Sequence, residues 1–364
     1  IWGSSTGLSN VLFSMNQTSG NGGGLYSETT AVQLHDVTFQ ANRSDVDQNG
    51  IGSGGGMYSK KNYSTLSGVT FYGNQSNANG GGLYLSTANI DMENVTLVQN
   101  QAVGSGGNGM GGGIVIESSP GGSLRHVTLW NNSAAAAGGG ITIQNSSPIV
   151  DNSLIWGNSS PLGAQIYAPS GSPAVHFSVV QGGFEGGVQI YTGDPLVGTF
   201  GNHGGSTQTL PILPGSSALD RGADTCCGDF DQRGRPRPQE GTNDGAAGCD
   251  IGAFELDNLA PEVELTDTVT SLIERTPIDT PLKVARAVIT DDGIGIQSLS
   301  LSGADAAMFS LSGNDVLLKA GANLDYETNP VLDVQVNVDD PTTSASPDDS
   351  AALSITVEDV TAPA

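Results

Sequence analysis

The sequence predicts an all-β protein, a parallel β-helix followed by a β-sandwich. Three observations predict it. Asn16, Asn42, Asn74, Asn100, Asn132 and Asn158 recur in register, at spacings of 26, 32, 26, 32 and 26 residues. Short runs such as Val37-Thr38-Phe39 alternate apolar and polar residues, with no helical spacing. Beyond residue 256 a second set of strand-like runs coincides with a shift in charge, 4 Lys+Arg against 19 Asp+Glu, or 4 − 19 = −15.

The repeat justifies the first element. Five residues before each Asn stand Val11, Val37, Val69, Val95, Val127 and Ser153, and two residues further on Phe13, Phe39, Phe71, Leu97, Leu129 and Ile155. Gly triplets at 22–24, 54–56, 80–82, 111–113 and 138–140 each precede an apolar residue, namely Leu25, Met57, Leu83, Ile114 and Ile141. The 53 glycines are therefore punctuation of a repeat, not a sign of disorder. Such a period marks a solenoid, propeller or array, and a propeller blade of about 40 residues is too long. One coil rises about 4.8 Å, so equivalent residues stack. The Val and Phe columns are expected to fill the core. The Asn are expected to adopt left-handed backbone at a corner and to satisfy backbone groups there. The Gly triplets relieve a tight corner. Thr38, Thr70, Thr96 and Thr128 are expected to face outward, too mixed in their neighbours for ice binding. The longer spacings place loops at 43–53 and 101–109.

The Gly-Gly-apolar and Phe-x-x-Asn signatures (Phe39-Gln40-Ala41-Asn42, Phe71-Tyr72-Gly73-Asn74) resemble the polymorphic outer-membrane-protein-type repeat. That family belongs to the pectin-lyase-like group, which implies a right-handed parallel β-helix over residues 1–191. The next stretch carries Asp194-Pro195-Leu196, Gly204-Gly205-Ser206-Thr207-Gln208-Thr209-Leu210, the run 213–220, Asp231-Gln232-Arg233-Gly234-Arg235-Pro236-Arg237-Pro238 and Cys249-Asp250-Ile251-Gly252-Ala253-Phe254-Glu255. It resembles the C-terminal region of bacterial choice-of-anchor Q surface proteins. An open solenoid end needs covering, so residues 192–256 are expected to form a C-terminal cap. Within it Arg233, Arg235 and Arg237 are expected to pair with Asp220, Asp229, Asp231 and Asp250. In an exported protein Cys249 is expected to bond Cys226 or Cys227. A metal there would want a fourth ligand, and His203 is not at ligand spacing.

Residues 257–262 read as a linker and 263–364 as the sandwich, with strand-like runs at 282–289, 331–338 and 353–357. The strings Thr290-Asp291-Asp292-Gly293, Ala307-Met308-Phe309, Leu324-Asp325-Tyr326-Glu327, Val338-Asp339 and Val357-Glu358-Asp359-Val360-Thr361-Ala362-Pro363 resemble cadherin-like repeats. The resemblance implies Ca²⁺ at the domain's two ends. Glu274, Asp325, Glu327 and Asp359 would serve the C-terminal end, and Asp291, Asp339 and Asp257 the N-terminal one. Such carboxylates are the hard oxygen ligands that Ca²⁺ takes. Thr361 stands where the family carries a further acid. Separately, Asp45, Asp47 and Asn49 open a D-x-D-x-N-G string like that of a calcium loop, but Gly56 occupies the twelfth position.

The whole chain carries 12 Lys+Arg and 37 Asp+Glu, a net of −25. That excludes nucleic acid and anionic membrane surfaces as natural partners. No apolar run approaches the ~20 residues of a membrane span. The opening Ile1-Trp2-Gly3 is no signal peptide, so an export signal is expected upstream. The Asn-x-Ser/Thr matches fall on turn Asn and are not taken as glycosylation sites.

No catalytic constellation is visible. Asp91 and Glu93 share a strand face without a partner, while Arg43, Lys60, Lys61, Arg125, His35, His126, His176 and His203 are scattered. Trp130, Trp156 and Tyr72 fall in one outward column with Gln40 and Val98, where aromatic faces could hold sugar rings. The expectation is an exported, non-enzymatic surface or extracellular-matrix protein that serves adhesion or filament assembly. Its partners would be other surface proteins, its own copies or glycans. The alternative is a polysaccharide-binding or polysaccharide-degrading β-helix.

Overall fold

A computed structural model describes residues 5–104, 106, 108–119, 121–241, 246–256, 259–291, 297–340 and 346–360. They form two compact units, one of residues up to 241 with 246–256, the other from 259 onward.

The first unit is wound from parallel sheets, in a β-helix-like arrangement. Among the described residues the longest sheet has nine strands, beginning with Thr6–Ser14, Val32–Gln40, Tyr63–Tyr72, Asn89–Val98 and Ser123–Trp130. A six-stranded sheet stacks Leu25–Glu28, Met57–Lys60, Leu83–Ser86, Ile114–Glu117, Ile141–Ser146 and Ile166–Gly171. A four-stranded sheet stacks the two-residue strands Arg43–Ser44, Gln75–Ser76, Gln101–Ala102 and Ser133–Ala134. The register follows the repeat: Val11 pairs Val37, Val69 pairs Val95, and Phe39 pairs Phe71. Their side chains fill one continuous core, in which the rings of Phe13, Phe39 and Phe71 stack at 4.9 and 4.7 Å between centroids.

The six Asn form a single file. From Asn42 onward each amide oxygen accepts from the coil before it, as where Asn42 Nδ2 and N both donate to Asn74 Oδ1 at 2.9 and 3.0 Å. Each of these five amide nitrogens also bonds a carbonyl of the preceding coil, for example Asn42 Nδ2 to Phe13 O at 2.8 Å. The file ends where Asn158 Nδ2 donates to Gln165 Oε1 at 2.8 Å. The expected left-handed backbone sits one residue earlier, on Met15, Ala41, Gly73, Gln99, Asn131 and Gly157. The Asn side chain must point inward to join the file, so its predecessor makes the corner.

The Gly triplets divide their work. Only the first Gly of each has positive φ, as at Gly22 (70°) and Gly54 (73°). The second faces the next coil, where a Cβ on Gly23 would lie 2.2 Å from Gly55 O.

The described residues of the expected cap, 192–241 and 246–256, depart from it. They lie along the side of the coil, against the outer face of the nine-stranded sheet. The Thr column is thus covered: Thr70 Oγ1 donates to Gln208 O (2.7 Å), Thr96 Oγ1 to Gln232 Oε1 (2.6 Å), and Thr128 Oγ1 accepts from Ala253 N (3.0 Å). Beyond Thr128 the same column turns apolar at Leu154, which joins Val179, Ile212, Leu219, Ile251 and Phe254 in a second core. A sheet's outer face that is apolar needs cover as much as an open end does.

The second unit has two four-stranded sheets. One orders Glu262–Thr266, Leu282–Thr290, Asp315–Leu318 and Phe309–Ser312, all antiparallel. The other orders Ser271–Ile273, Asp349–Glu358, Val331–Asp339 and Ser298–Ser302, with its first pair parallel. Alternate residues Leu332, Val334, Val336 and Val338 share one core with Val284, Phe309, Val316, Ile355 and Val357. No helix among the described residues is long and apolar enough to cross a membrane.

Candidate functional site

In the second unit the strand Ser271–Ile273 delivers Glu274 beside the end of Asp349–Glu358, where Glu274 N donates to Glu358 O at 3.0 Å. Glu274 is only 2% exposed. Its Oε1 accepts from Val360 N at 3.1 Å and lies 3.5 Å from Arg275 Nη2, while its Oε2 is buried without a partner. Glu327 and Asp359 are exposed and converge on it, with one ligand oxygen from each of the three within 4.8 Å of the others. Among the described residues this is the group of acids, His or Cys able to hold a metal ion. An orphaned oxygen on a buried carboxylate is costly unless a cation or donor meets it. The donor set is all oxygen, which suits Ca²⁺.

Asp325 belongs to the turn instead. Its carboxylate accepts from Thr328 Oγ1 (2.9 Å) and Thr328 N (3.2 Å), and these bonds hold it below the usual carboxylate range. At the other end of the sheet Asp291 accepts from Gln297 Nε2 (2.6 Å), and Asp339 Oδ1 is buried without a hydrogen bond. Asp257 lies outside the described residues, as do Asp292 and Thr361.

The loop of Asp45, Asp47 and Asn49 closes on itself. Asp45 is fully buried and both its oxygens accept from Gly50 N, at 3.2 and 3.0 Å. Asp47 Oδ2 accepts from Asn49 Nδ2, and Asn49 Oδ1 from Ile51 N, each at 2.9 Å. The string makes a hydrogen-bonded turn, with Asp45 buried and Asp47 exposed.

The aromatic column is not free. Trp130 and Trp156 pair in register on successive strands, but both are half-buried against the second core of the flanking segment. Tyr72 packs on Phe200 at 4.9 Å between centroids. The flanking segment had to bury an apolar strip, and these rings supply part of it.

Asp91 is likewise engaged, by Tyr63 Oη, Ser123 Oγ (2.7 Å) and Ser123 N (3.0 Å). Partial burial would raise its pKa, but these bonds and the Arg125 charge outweigh that and lower it. His126 is buried, with Nδ1 3.2 Å from Gly252 O and Nε2 3.0 Å from Cys226 O. Burial, aided by Arg237, pushes its pKa down to about 3.

Beneath the flanking segment Cys227 bonds Cys249, and Cys226 keeps a half-exposed free thiol. Arg233 Nε pairs Asp231 Oδ2 at 2.7 Å and its guanidinium lies over the Phe254 ring at 3.6 Å. Arg235 N donates to Asp231 Oδ1 at 2.9 Å. Arg237 is buried, and its carboxylate partner at 2.6 Å is Glu255, which was not among the acids expected to pair with it. Burial foremost raises Glu255 to about 7 despite Arg237; burial and the Glu255 charge also raise Asp250.

Two features were missed at the sequence level. Tyr26, Tyr58 and Tyr84 stack outside the six-stranded sheet at 5.4 and 5.3 Å; their place two residues after the first three Gly triplets could have shown it. The other is a notch at Gly68, which stands six residues before Asn74 as Asn10 stands before Asn16; that register could have shown the corner, though not the gap beside it.

No protein-family model matches this chain, and no curated protein matches it.

Proposed function

We propose that this chain is part of an exported, non-enzymatic surface or extracellular-matrix protein of the choice-of-anchor Q type, working in adhesion or filament assembly. The pectin-lyase-like coil, right-handed as in that group, presents a long repetitive surface. The cadherin-like module is stiffened by Ca²⁺, and its partners are other surface proteins or copies of itself.

One observation carries this reading: Glu274 Oε2, buried and without a partner, beside the carboxylates of Glu327 and Asp359. These three residues would hold the ion, which would neutralise their mutual repulsion and tie Glu274 to the exit of the last strand. The test is thermal melting of the whole chain in Ca²⁺ and in EGTA. The melting of the second unit is expected to rise with Ca²⁺ and to lose that rise in Glu274→Gln. A Tm identical in the two buffers sinks the calcium reading.

A second reading, polysaccharide binding, is favoured by one feature. Between loops 43–53 and 101–109 lies a cavity of about 450 Å³ lined by Gln48, Asn49, Gln75, Asn77 and Asn108. Carboxamides donate and accept together, as sugar hydroxyls require. A glycan array with the whole chain, repeated with Gln75→Ala, tests it; an array without signal removes it.

A further inference from the structure

One corner of the coil holds positive φ on Asn10, Asp36, Gly68, Asn94, His126 and Asn152. Three of these side chains reach the flanking segment. Asn94 Nδ2 donates to Phe230 O (2.8 Å), His126 meets Gly252 O and Cys226 O, and Asn152 Oδ1 accepts from Ala223 N (2.8 Å). Gly68 has no side chain to offer. There an open cavity of about 370 Å³ remains, bordered by Asp36, Gly68, Glu93, Asn94, Asp229 and Phe230.

The groups left over in this cavity are acceptors. Asn94 is 7% exposed, and its Oδ1 is buried with no hydrogen-bond partner. The Asp36 carboxylate meets only His35 Nε2, at 3.5 Å. Among the described residues the side chains of Glu93 and Asp229 have no hydrogen-bond or ion-pair partner. The guanidinium at the rim, Arg233, is committed to Asp231 and Phe254. Phe230 stands at the border with its side chain 55% exposed.

We propose that this cavity binds an organic cation, a protonated amine or guanidinium. Such a group brings the N–H donors that Asn94 and the carboxylates lack, and charge-assisted bonds are the stronger kind. The Phe230 face would add cation–π attraction. A bare metal ion fits less well. No three carboxylates here converge as Glu274, Glu327 and Asp359 do, and the space far exceeds one ion. The same chemistry could arrive as a free polyamine or as the lysyl side chain of a neighbouring protein.

Calorimetric titration of the whole chain at low salt tests this, with spermidine and with the peptide acetyl-Gly-Lys-Gly-amide as separate probes. Butanol is the neutral control. One-to-one binding of either cation is expected, and the tighter probe identifies the source. Glu93→Gln is expected to weaken it about tenfold or more. Gly68→Asn is expected to abolish it by filling the notch. Asn already occupies this φ at Asn94 and Asn152, and the atom 2.4 Å from the new Cβ is the movable Asp36 Oδ1. Should that variant not fold, the exposed Glu93→Gln decides. CaCl₂ titrated into Glu274→Gln separates this site from the acidic group of the second unit. Absence of binding by both cations, affinity indifferent to Glu93→Gln, or Ca²⁺ displacing the amine in a Glu93-dependent way overturns the proposal.

Discussion

Two buried polar assemblies hold the first unit together, and they follow opposite rules. In the Asn file every internal amide is saturated and neutral. Asn100 Oδ1 accepts from Asn74 N and Nδ2 (3.0 and 2.9 Å), while its Nδ2 donates to Phe71 O and Asn132 Oδ1 (both 2.9 Å). Within the flanking segment Arg237, Glu255, Asp250, Asp231 and Arg233 form a charged cluster that does not repeat. An amide donates and accepts at the same time, so identical copies tile without accumulating charge. A carboxylate only accepts, so each needs a distinct donor, and burial raises Glu255 and Asp250 even beside Arg237.

The sharpest way to break this contrast is Arg237→Met. Leaving Glu255 and Asp250 buried without their cation is expected to cost about 3–5 kcal/mol in urea unfolding. The loss should be smaller at pH 5 than at pH 8. Folded Glu255 takes its proton near pH 7 rather than at its ordinary 4.5. Its contribution thus favours the fold at low pH and is lost as pH rises through that window. A loss equal at both pH values would mean that the cluster is held by packing rather than charge.

Next comes Asn100→Ala, which removes four buried hydrogen bonds and is expected to cost roughly 3 kcal/mol, against under about 1 kcal/mol for the exposed Asn16→Ala. Equal losses would show that the file is decoration on a core-driven coil. Third is Cys249→Ser, which opens a bridge with 22 residues of separation. About 3 kcal/mol is expected from the freed unfolded chain.

The smallest effect at neutral pH is His126→Asn, which keeps a corner residue that Asn94 and Asn152 show to be acceptable. His126 stays neutral in the fold down to about 3, against 6.5 in the unfolded chain. The wild type should therefore lose stability relative to the variant as pH falls below 6.5. Acid titrations of the two proteins that run parallel below pH 6.5 would overturn this.

The contrast also explains what the sequence disclosed. The coil was legible because each position is written once per turn: one shared period sets Val37 beside Val11, Phe39 beside Phe13 and Asn42 beside Asn16. Side-chain direction was less legible. The Asn were expected at the left-handed corner itself, yet joining the file moves that duty to Met15, Ala41 and their equivalents. The flank was misplaced because alternation distinguishes the two faces of a strand, not what later covers the outer one. Thr70 and Leu154 share a column, and only the apolar member hinted that it would be buried. The nomination of Glu274, Glu327 and Asp359 rested on a resemblance, since residues 32 to 85 positions apart carry no periodic signal. The Gly68 notch lies in register with Asn94 and Asn152, but the register shows the corner and not what a later segment leaves open beside it.

The Asn file has a direction. From Asn42 onward every side-chain oxygen accepts from the amide before it, so the amide dipoles run head to tail from Asn16 to Gln165. Any whole turn that carries the same Asn can be inserted in the same sense without disturbing its neighbours, whether it spans 26 residues or 32. Length thus becomes a free variable of the architecture: duplicating a turn lengthens the rod by one strand spacing, whereas half a turn would sever the chain of amides.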